Sequence, residues 1–412
     1  MITRQPLPAR LLHHRGVNSQ WTIRTGDIVP AGAPIQRGER WQHAAATCVV
    51  AHCDADTARL DVIDDTPPGP EAPLDVNATS ASDLLRRVHE AGIAGLGGGG
   101  YPTHLKLLTA ARHGVHTLVI NAMECEPGIS CDAALSAEGG REIQQGINAI
   151  RRILAINTVT LAAASTMQVA MLDVDTRHIR ENPSATDGAE RYLLRDIFNV
   201  ILTPGEYPVH HGFVVCNIGT LHAIGRAISG HVLTERVTTV FGDNRWLPIG
   251  LPLSELVRSD TARVGGRLSG HVVRVAGAMV DKTTNGIDTA STHMALPCIR
   301  CGRCDDACPE HLPVTGLLTF SAPPRVGTLE RLGLANCVEC GLCNPACPSD
   351  IDVLATLRDA KTTLIAERQR RSATALANTR ATAHTHRLAI QAEQREQRRR
   401  DRLARLRGAT SD

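Results

Sequence analysis

Cys298-Ile-Arg-Cys301-Gly-Arg-Cys304-Asp-Asp-Ala-Cys308-Pro309 and, further on, Cys337-Val-Glu-Cys340-Gly-Leu-Cys343-Asn-Pro-Ala-Cys347-Pro348 are one pattern written twice, C-x2-C-x2-C-x3-C-P. Three thiolates at this spacing wrap one corner of an iron–sulfur cubane, and where two runs occur the fourth cysteine of each ligates the other cluster. The spacing therefore predicts two [4Fe-4S] clusters. Cys298, Cys301, Cys304 and Cys347 hold one, and Cys337, Cys340, Cys343 and Cys308 hold the other. Zinc also takes C-x2-C pairs, usually as two pairs around four bonds. Three-plus-one occurring twice favours clusters. Pro309 and Pro348 turn the chain away after the crossing ligand, and Gly302 and Gly341 leave room beside the sulfurs.

The chain around this module has 412 residues, enough for two to four domains. Hydrophobic residues make up 42% and charged residues 21%, as in soluble globular proteins. No apolar run approaches the ~18 residues of a membrane span. The opening Met1-Ile-Thr-Arg-Gln-Pro6 carries no apolar h-region, so a cytoplasmic chain is expected. In that compartment 13 cysteines point to metal rather than disulfides. The five outside the runs (Cys48, Cys53, Cys125, Cys131 and Cys216) lack ligand spacing and read as plain thiols. Charge is uneven: residues 358–412 carry +8 and the remainder −6.

Residues 1–75 show turn chemistry at Gly26-Asp27 and Pro30-Ala-Gly32 between short apolar pieces, which predicts a β-rich domain. The order is similar to the hairpin of lipoyl-like barrels, with no lysine or histidine at a swinging-arm tip, so a structural β-domain is expected. Pro67–Pro73 reads as a linker. Ser82 to Glu90 has helical apolar spacing, with Ser82 as the cap. Gly95-Leu-Gly97-Gly98-Gly99-Gly100-Tyr101-Pro102-Thr103 then feeds a second helix, the arrangement of an anion site at a helix start. It matches neither a Walker A loop nor a full Rossmann fingerprint.

His116–Asn121 is a buried-strand pattern ending in Asn121, Glu124 and Glu126, polar groups where open α/β sheets bind ligands. Helical and strand-like pieces alternate to about residue 172. Residues 181–190 read as a loop and 191–200 as a helix. Gly212–Thr220 reads as another strand with a polar end, and 222–228 as a helix. His210-His211 reads as an exposed loop rather than a metal pair. Residues 236–243 and 267–279 are strand-like, and Ser254 is placed to cap a short helix. The Ala/Arg/Gln-rich residues beyond 357 form a solvated helix or a disordered tail.

Three of these stretches together resemble the C subunit of the Rnf (Rsx) membrane electron-transport complexes and, more distantly, the flavin-bearing, NADH-oxidising subunit of respiratory complex I. Gly95–Lys106 looks like the family's "G-x-G-G-x-x-F-P-T-x-x-K" loop, Asn121–Pro127 like its "N-x-x-E-x-E-P" strand tip, and Cys216–Thr220 like a third flavin-contacting segment. The resemblance covers about residues 10–370. It implies that Gly97, Gly98, Gly99, Gly100 and Lys106 cradle FMN, and that Asn121, Asn217 and Thr220 hydrogen-bond it. Glu124 and Glu126 would line a dinucleotide pocket, Tyr101 would stack on an NADH ring, and Glu190 would take an acidic nucleotide-contact position.

The implied fold class is α/β multidomain. It has a β-rich, barrel-like domain at 1–75, an FMN/NADH-binding α/β domain at 76–233 and a β-grasp-like domain at 234–284. A helical ferredoxin-type module with two clusters follows at 285–357, then a basic tail at 358–412. The sequence departs from the family pattern at Tyr101, Gly128 and Gly277-Ala-Met-Val280.

What the resemblance implies is an NADH-dependent oxidoreductase subunit that converts two-electron to one-electron traffic. It would sit at the cytoplasmic face of the inner membrane, with membrane subunits of the same complex and a ferredoxin-type carrier as partners and no nucleic acid. Hydride transfer needs no side-chain acid or base, so no catalytic residue is assigned. Two other readings share the motifs: a soluble flavin/iron–sulfur reductase acting on a corrinoid or quinone, and a non-catalytic electron-transfer subunit.

Overall fold

The computed structural model of the chain describes residues 1–124, 126–169, 172–180, 186–203, 205–290 and 294–408. Cys125 and residues 181–185 of the expected loop lie outside these. Eight short strands open the chain: β1 (Thr3–Arg4), β2 (Arg10–His14), β3 (Ser19–Trp21), β4 (Ile28–Val29), β5 (Pro34–Gly38), β6 (Gln42–His43), β7 (Thr47–Cys53) and β8 (Thr57–Asp64). Seven of them, all but β1, form two antiparallel sheets, β2-β8-β7-β4 and β3-β5-β6. Alternation along β7 and β8 turns Cys48, Val50, Ala58 and Leu60 inward onto Leu11 and Ile35.

The next layer is α/β. Helices α1 (Ala81–Glu90) and α2 (Thr103–Arg112) precede β9 (Thr117–Ala122). The cap of α1 is Ser80, whose side chain accepts from the Asp83 N–H, and not Ser82. The two serines stand two residues apart and share a hydrogen bond, and either suits a cap by residue type. Helices α3 (Cys131–Glu138) and α4 (Gly140–Leu154) follow, then β10 (Thr158–Ala164), β11 (Thr176–Arg180), α5 (Glu190–Phe198), β12 (Phe213–Asn217) and α6 (Ile218–Ile228). The strands pair in parallel in the order β11-β10-β9-β12.

Strands β9 and β10 are almost wholly buried, as parallel strands covered on both faces are. Ile143, Ile147 and Ile150 of α4 share one apolar stripe and join the core. Helix α6 crosses α4 closely because a Cβ on Gly146 would lie 2.1 Å from the Leu221 carbonyl oxygen, and one on Gly225 would lie 1.8 Å from that of Glu142. Helix α6 starts four residues earlier than expected, directly from β12, with Asn217 as its cap.

A six-stranded sheet comes next, built from β13 (Glu235–Val240), β14 (Asp243–Pro248), β15 (Thr261–Val264), β16 (His271–Arg274) and β17 (Gly286–Thr289), with β1 paired in parallel to β14 at its edge. It thus draws strands from outside residues 234–284. Of the strand-like interval 267–279, only His271–Arg274 is strand; 267–270 belongs to a turn that meets the neighbouring layers.

The cysteine runs form a small helical unit: α7 (Arg303–Asp306), α8 (Val314–Ser321), α9 (Val326–Arg331), α10 (Cys343–Ala346) and the start of α11 (Val353–Gly408). Leu312, Leu317, Leu329, Leu334, Val353 and Leu357 make its core. The two runs repeat in backbone as well as sequence. Arg300, Gly302 and His311 have positive φ, and so do Glu339, Gly341 and Asp350, their counterparts in the second run. Helix α11 leaves the body after the buried Leu364 and is exposed from Arg368 to Arg402.

Candidate flavin and iron–sulfur site

The glycine loop is held at both ends and open in the middle. Gly95 N–H donates to the Tyr101 carbonyl at 2.9 Å and Gly100 N–H to that of Gly95 at 3.0 Å. Leu96 N–H donates to Thr220 Oγ1 at 3.0 Å, and the buried Arg236 guanidinium donates to the Leu96 carbonyl at 3.1 Å. Gly97, Gly98 and Gly99 are exposed at the rim of a cleft of about 700 Å³. A Cβ on Gly99 would meet nothing within 4 Å, whereas one on Gly100, at φ +60°, would lie 2.6 Å from Thr283. Backbone without side chains thus faces the space a phosphate-bearing ligand needs, and the cleft is large enough for such a ligand.

The cleft gathers every flavin and nucleotide residue read from the sequence except the buried Gly100: Gly97, Gly98, Gly99, Tyr101, Lys106, Asn121, Glu124, Glu126, Glu190, Asn217 and Thr220. Tyr101 is 53% exposed, a ring presented to the opening. Asn121 spans two loops: its Nδ2 donates to the Gly188 carbonyl at 2.8 Å, and its Oδ1 accepts from Met123 N–H at 3.1 Å. Asn217 Oδ1 caps α6, accepting from Gly219 N–H at 2.9 Å and Thr220 N–H at 3.4 Å. These side chains are fixed by backbone before any ligand arrives, which is preorganisation of the cleft wall.

Lys106 Nζ donates to Glu190 Oε1 at 2.7 Å. Burial works against its charge, but the Glu190 carboxylate outweighs it and holds the Lys106 pKa above the usual lysine range. Glu124 is buried beside Asp132. Burial first, and then the Asp132 charge, push Glu124 up to about 8, although its carboxylate accepts from the N–H groups of Asp132 at 2.7 Å and Ala133 at 3.2 Å. Burial raises Asp132 as well, against the opposing hydrogen bond from Asn217 Nδ2 at 2.5 Å. Two carboxyls in one buried site share a proton rather than both ionising.

Glu126 lines the cleft, but both its carboxylate oxygens are engaged. Oε2 accepts from Leu268 N–H at 2.9 Å, and Oε1 from Ser269 N–H at 2.7 Å and from Ser269 Oγ. It ties the β9 tip to the turn between β15 and β16. That turn rests on the second cysteine run: Arg358 donates to the Ser269 carbonyl at 2.6 Å and to Glu339 at 3.0 Å, and Lys361 donates to Glu339 at 2.7 Å and to the Cys337 carbonyl at 2.8 Å. Gly341 lies so close that a Cβ there would sit 2.0 Å from the Leu268 carbonyl oxygen.

The eight cysteines surround two hollows. Cys308, Cys337, Cys340 and Cys343 line one, and Cys298, Cys301, Cys304 and Cys347 line the other, so the fourth cysteine of each run stands in its partner's hollow. None of the eight is in a disulfide. Among the described residues no three Cys, His, Asp or Glu side chains converge on a single-ion site. A ring of thiols around a hollow suits a cube-shaped group better than a tetrahedral zinc. Backbone N–H groups of Arg300 and Leu312 point at Cys298 Sγ (3.4 Å) and Cys308 Sγ (3.5 Å). Burial pushes the Cys343 thiol up to about 12, so binding iron as thiolate there must displace a proton. Val338, Glu339, Cys340 and Arg358 also line the large cleft, which therefore opens onto the Cys308/Cys337/Cys340/Cys343 hollow.

Sequence reasoning missed Asp132, Ser269, Asn285, Glu339 and Arg358 in the cleft wall. Asp132 stands in no motif that was read. The others come from elements far along the chain, and only the fold brings them here.

The cleft and the cysteine hollows have the form of a flavin- and iron–sulfur-binding protein. Residues 88–226 match the Nuo51 FMN-binding domain family, and residues 297–351 match the 4Fe-4S dicluster domain family. Curated relatives of the chain include C subunits of ion-translocating oxidoreductase complexes, the family that the motifs resemble. The subunit of Edwardsiella ictaluri is 30% identical over 369 residues, covering 78% of this chain and 46% of the relative. That of Yersinia pestis bv. Antiqua is 32% identical over 364 residues, covering 77% and 58%. The chain spans about half the length of the curated relatives it matches. A solved NAD+-reducing [NiFe]-hydrogenase chain aligns with a TM-score of 0.47 and 17% identity, over 68% of this chain and 66% of the other. No helix among the described residues is long and apolar enough to cross a membrane.

Proposed function

We propose that the chain is the peripheral electron-input subunit of an Rnf-type ion-translocating complex, passing electrons between NADH and a ferredoxin-type carrier. The observation that carries this reading is one shared wall: the glycine loop, the β9 tip and the Cys340 loop line the same cleft. Bound FMN would supply exchange between two-electron and one-electron chemistry, and two [4Fe-4S] clusters would supply one-electron carriage.

The chain's own residues divide the work. Lys106 and the exposed glycines would face the flavin phosphate and ring edge, with Asn121, Asn217 and Thr220 framing them. Tyr101 and Glu190 would meet the nucleotide at the mouth. Glu124, protonated below about pH 8, would present a neutral donor rather than a second charge beside Asp132. Glu126 positions the β15–β16 turn against the Cys340 loop and so fixes the cleft to the neighbouring hollow. The hollow of Cys308, Cys337, Cys340 and Cys343 would hold the cluster nearer the flavin; Cys298 and Cys301, the exposed cysteines, would hold the farther one. Docking on membrane subunits at the cytoplasmic face follows from the same reading.

Lys106→Met tests it. NADH-driven dye reduction should fall by on the order of 100-fold, since hydrogen bonds to charged groups contribute roughly 1.5–3 kcal/mol, while the EPR signals of both clusters persist. Unchanged activity in that variant would remove Lys106 from the flavin site.

A further inference from the structure

We propose that the exposed arm of α11 is a membrane-surface element, with one arginine face lying on anionic lipid headgroups. The arginines of this arm are sorted by partner and by side. Arg368 and Arg371 pair with Glu330, Arg370 and Arg371 with Glu367, and Arg399 and Arg400 with Glu396. Among the described residues Arg380, Arg387, Arg395, Arg398 and Arg402 form no ion pair. At about 100° per residue these five fall within an arc of about 80°, and every paired arginine lies outside it.

The far side is self-satisfied. Thr374, Thr379, Thr382 and Thr385 each donate a hydroxyl to the carbonyl four residues earlier. Asp401, the carboxylate of the arm nearest the arginine arc among the described residues, accepts from Gln397. Leu376 and Leu388, each 51% exposed, border the stripe. From residue 380 to 402 the stripe runs straight for about 33 Å at 1.5 Å per residue.

A flat anionic surface complements such a stripe along its whole length, and the bordering leucines can enter the headgroup–acyl boundary. A phosphate backbone would offer the leucines nothing. The acidic body, at −6 against the +8 of residues 358–412, would be turned away from the same surface. The membrane setting of the proposed function supplies context, but neither flavin nor clusters enter the argument.

Flotation of the full chain with phosphatidylcholine vesicles, with and without phosphatidylglycerol, is the test. Binding should require phosphatidylglycerol and weaken as salt screens it. The variant R380Q/R387Q/R398Q should bind on the order of 100-fold more weakly, at about 1 kcal/mol per arginine. The variant R370Q/R371Q/R400Q has the same net charge and should bind like the wild type; far-UV circular dichroism checks that both stay helical. The proposal is overturned by no flotation with phosphatidylglycerol, by equal loss in the two variants, or by tight binding of duplex DNA without flotation. Any of these leaves the electron-input reading standing.

Discussion

Glu124 shows how one residue's surroundings set its chemistry. Its pKa is raised from the carboxylate range to about 8 by burial and by Asp132, so the native state binds more protons than the unfolded chain between about pH 4.5 and 8. Stability contributed by this proton is present at low pH and is lost as pH rises through about 8. Denaturant midpoints measured from pH 5 to 9 should fall more steeply in the wild type than in Glu124→Gln. Parallel pH profiles for the two proteins would show that Glu124 does not hold the proton. The acidic strand tip was legible in the sequence, but the proton was not. Asp132 lies in no motif, and only the turn from β9 into α3 sets it against Glu124. The same limit applies to Glu126, read as part of a nucleotide pocket: its carboxylate is fully engaged by Leu268 and Ser269, more than a hundred residues away.

At the scale of elements, the repeated cysteine runs explain why the module folds as a unit. Positive φ recurs at matched positions, and each run contributes one thiol to the other's hollow. If ligation is crossed, Cys347→Ala should disturb the cluster whose other thiols belong to the first run, and Cys308→Ala the one belonging to the second. EPR of the two variants would then lose complementary signals. Loss of the second-run signal in Cys347→Ala would mean that each run serves its own cluster. The spacing of the runs and the apolar run of β9 were readable because each is a local pattern. The start of α6 was not: Asn217 ends a strand and caps a helix in one residue, so no loop marks the boundary.

At the scale of the whole molecule, Lys282 joins three layers. Its buried ammonium donates to the carbonyls of Trp41 and, at 2.6 Å, Gly92. Burial and then the nearby Arg40 lower it to about 7. The native state therefore binds fewer protons than the unfolded chain between about pH 7 and 10.5, and this group makes stability rise with pH across that window. Lys282→Met should unfold more easily by ~1–3 kcal/mol, because two buried carbonyls lose their donor, and should show a flatter dependence on pH above 7. An unchanged denaturation midpoint would show that the contact adds nothing.

The layers so joined bring the glycine loop, the β9 tip and the Cys340 loop to one cleft, and the central claim is that this cleft feeds the cysteine hollows. Anaerobic titration of the purified chain with NADH, followed by visible absorbance and EPR, tests it most directly. The account predicts flavin bleaching together with the appearance of reduced-cluster signals from both cysteine sets. A protein that carries its full iron but releases no flavin, and whose clusters stay oxidised under NADH, would contradict it.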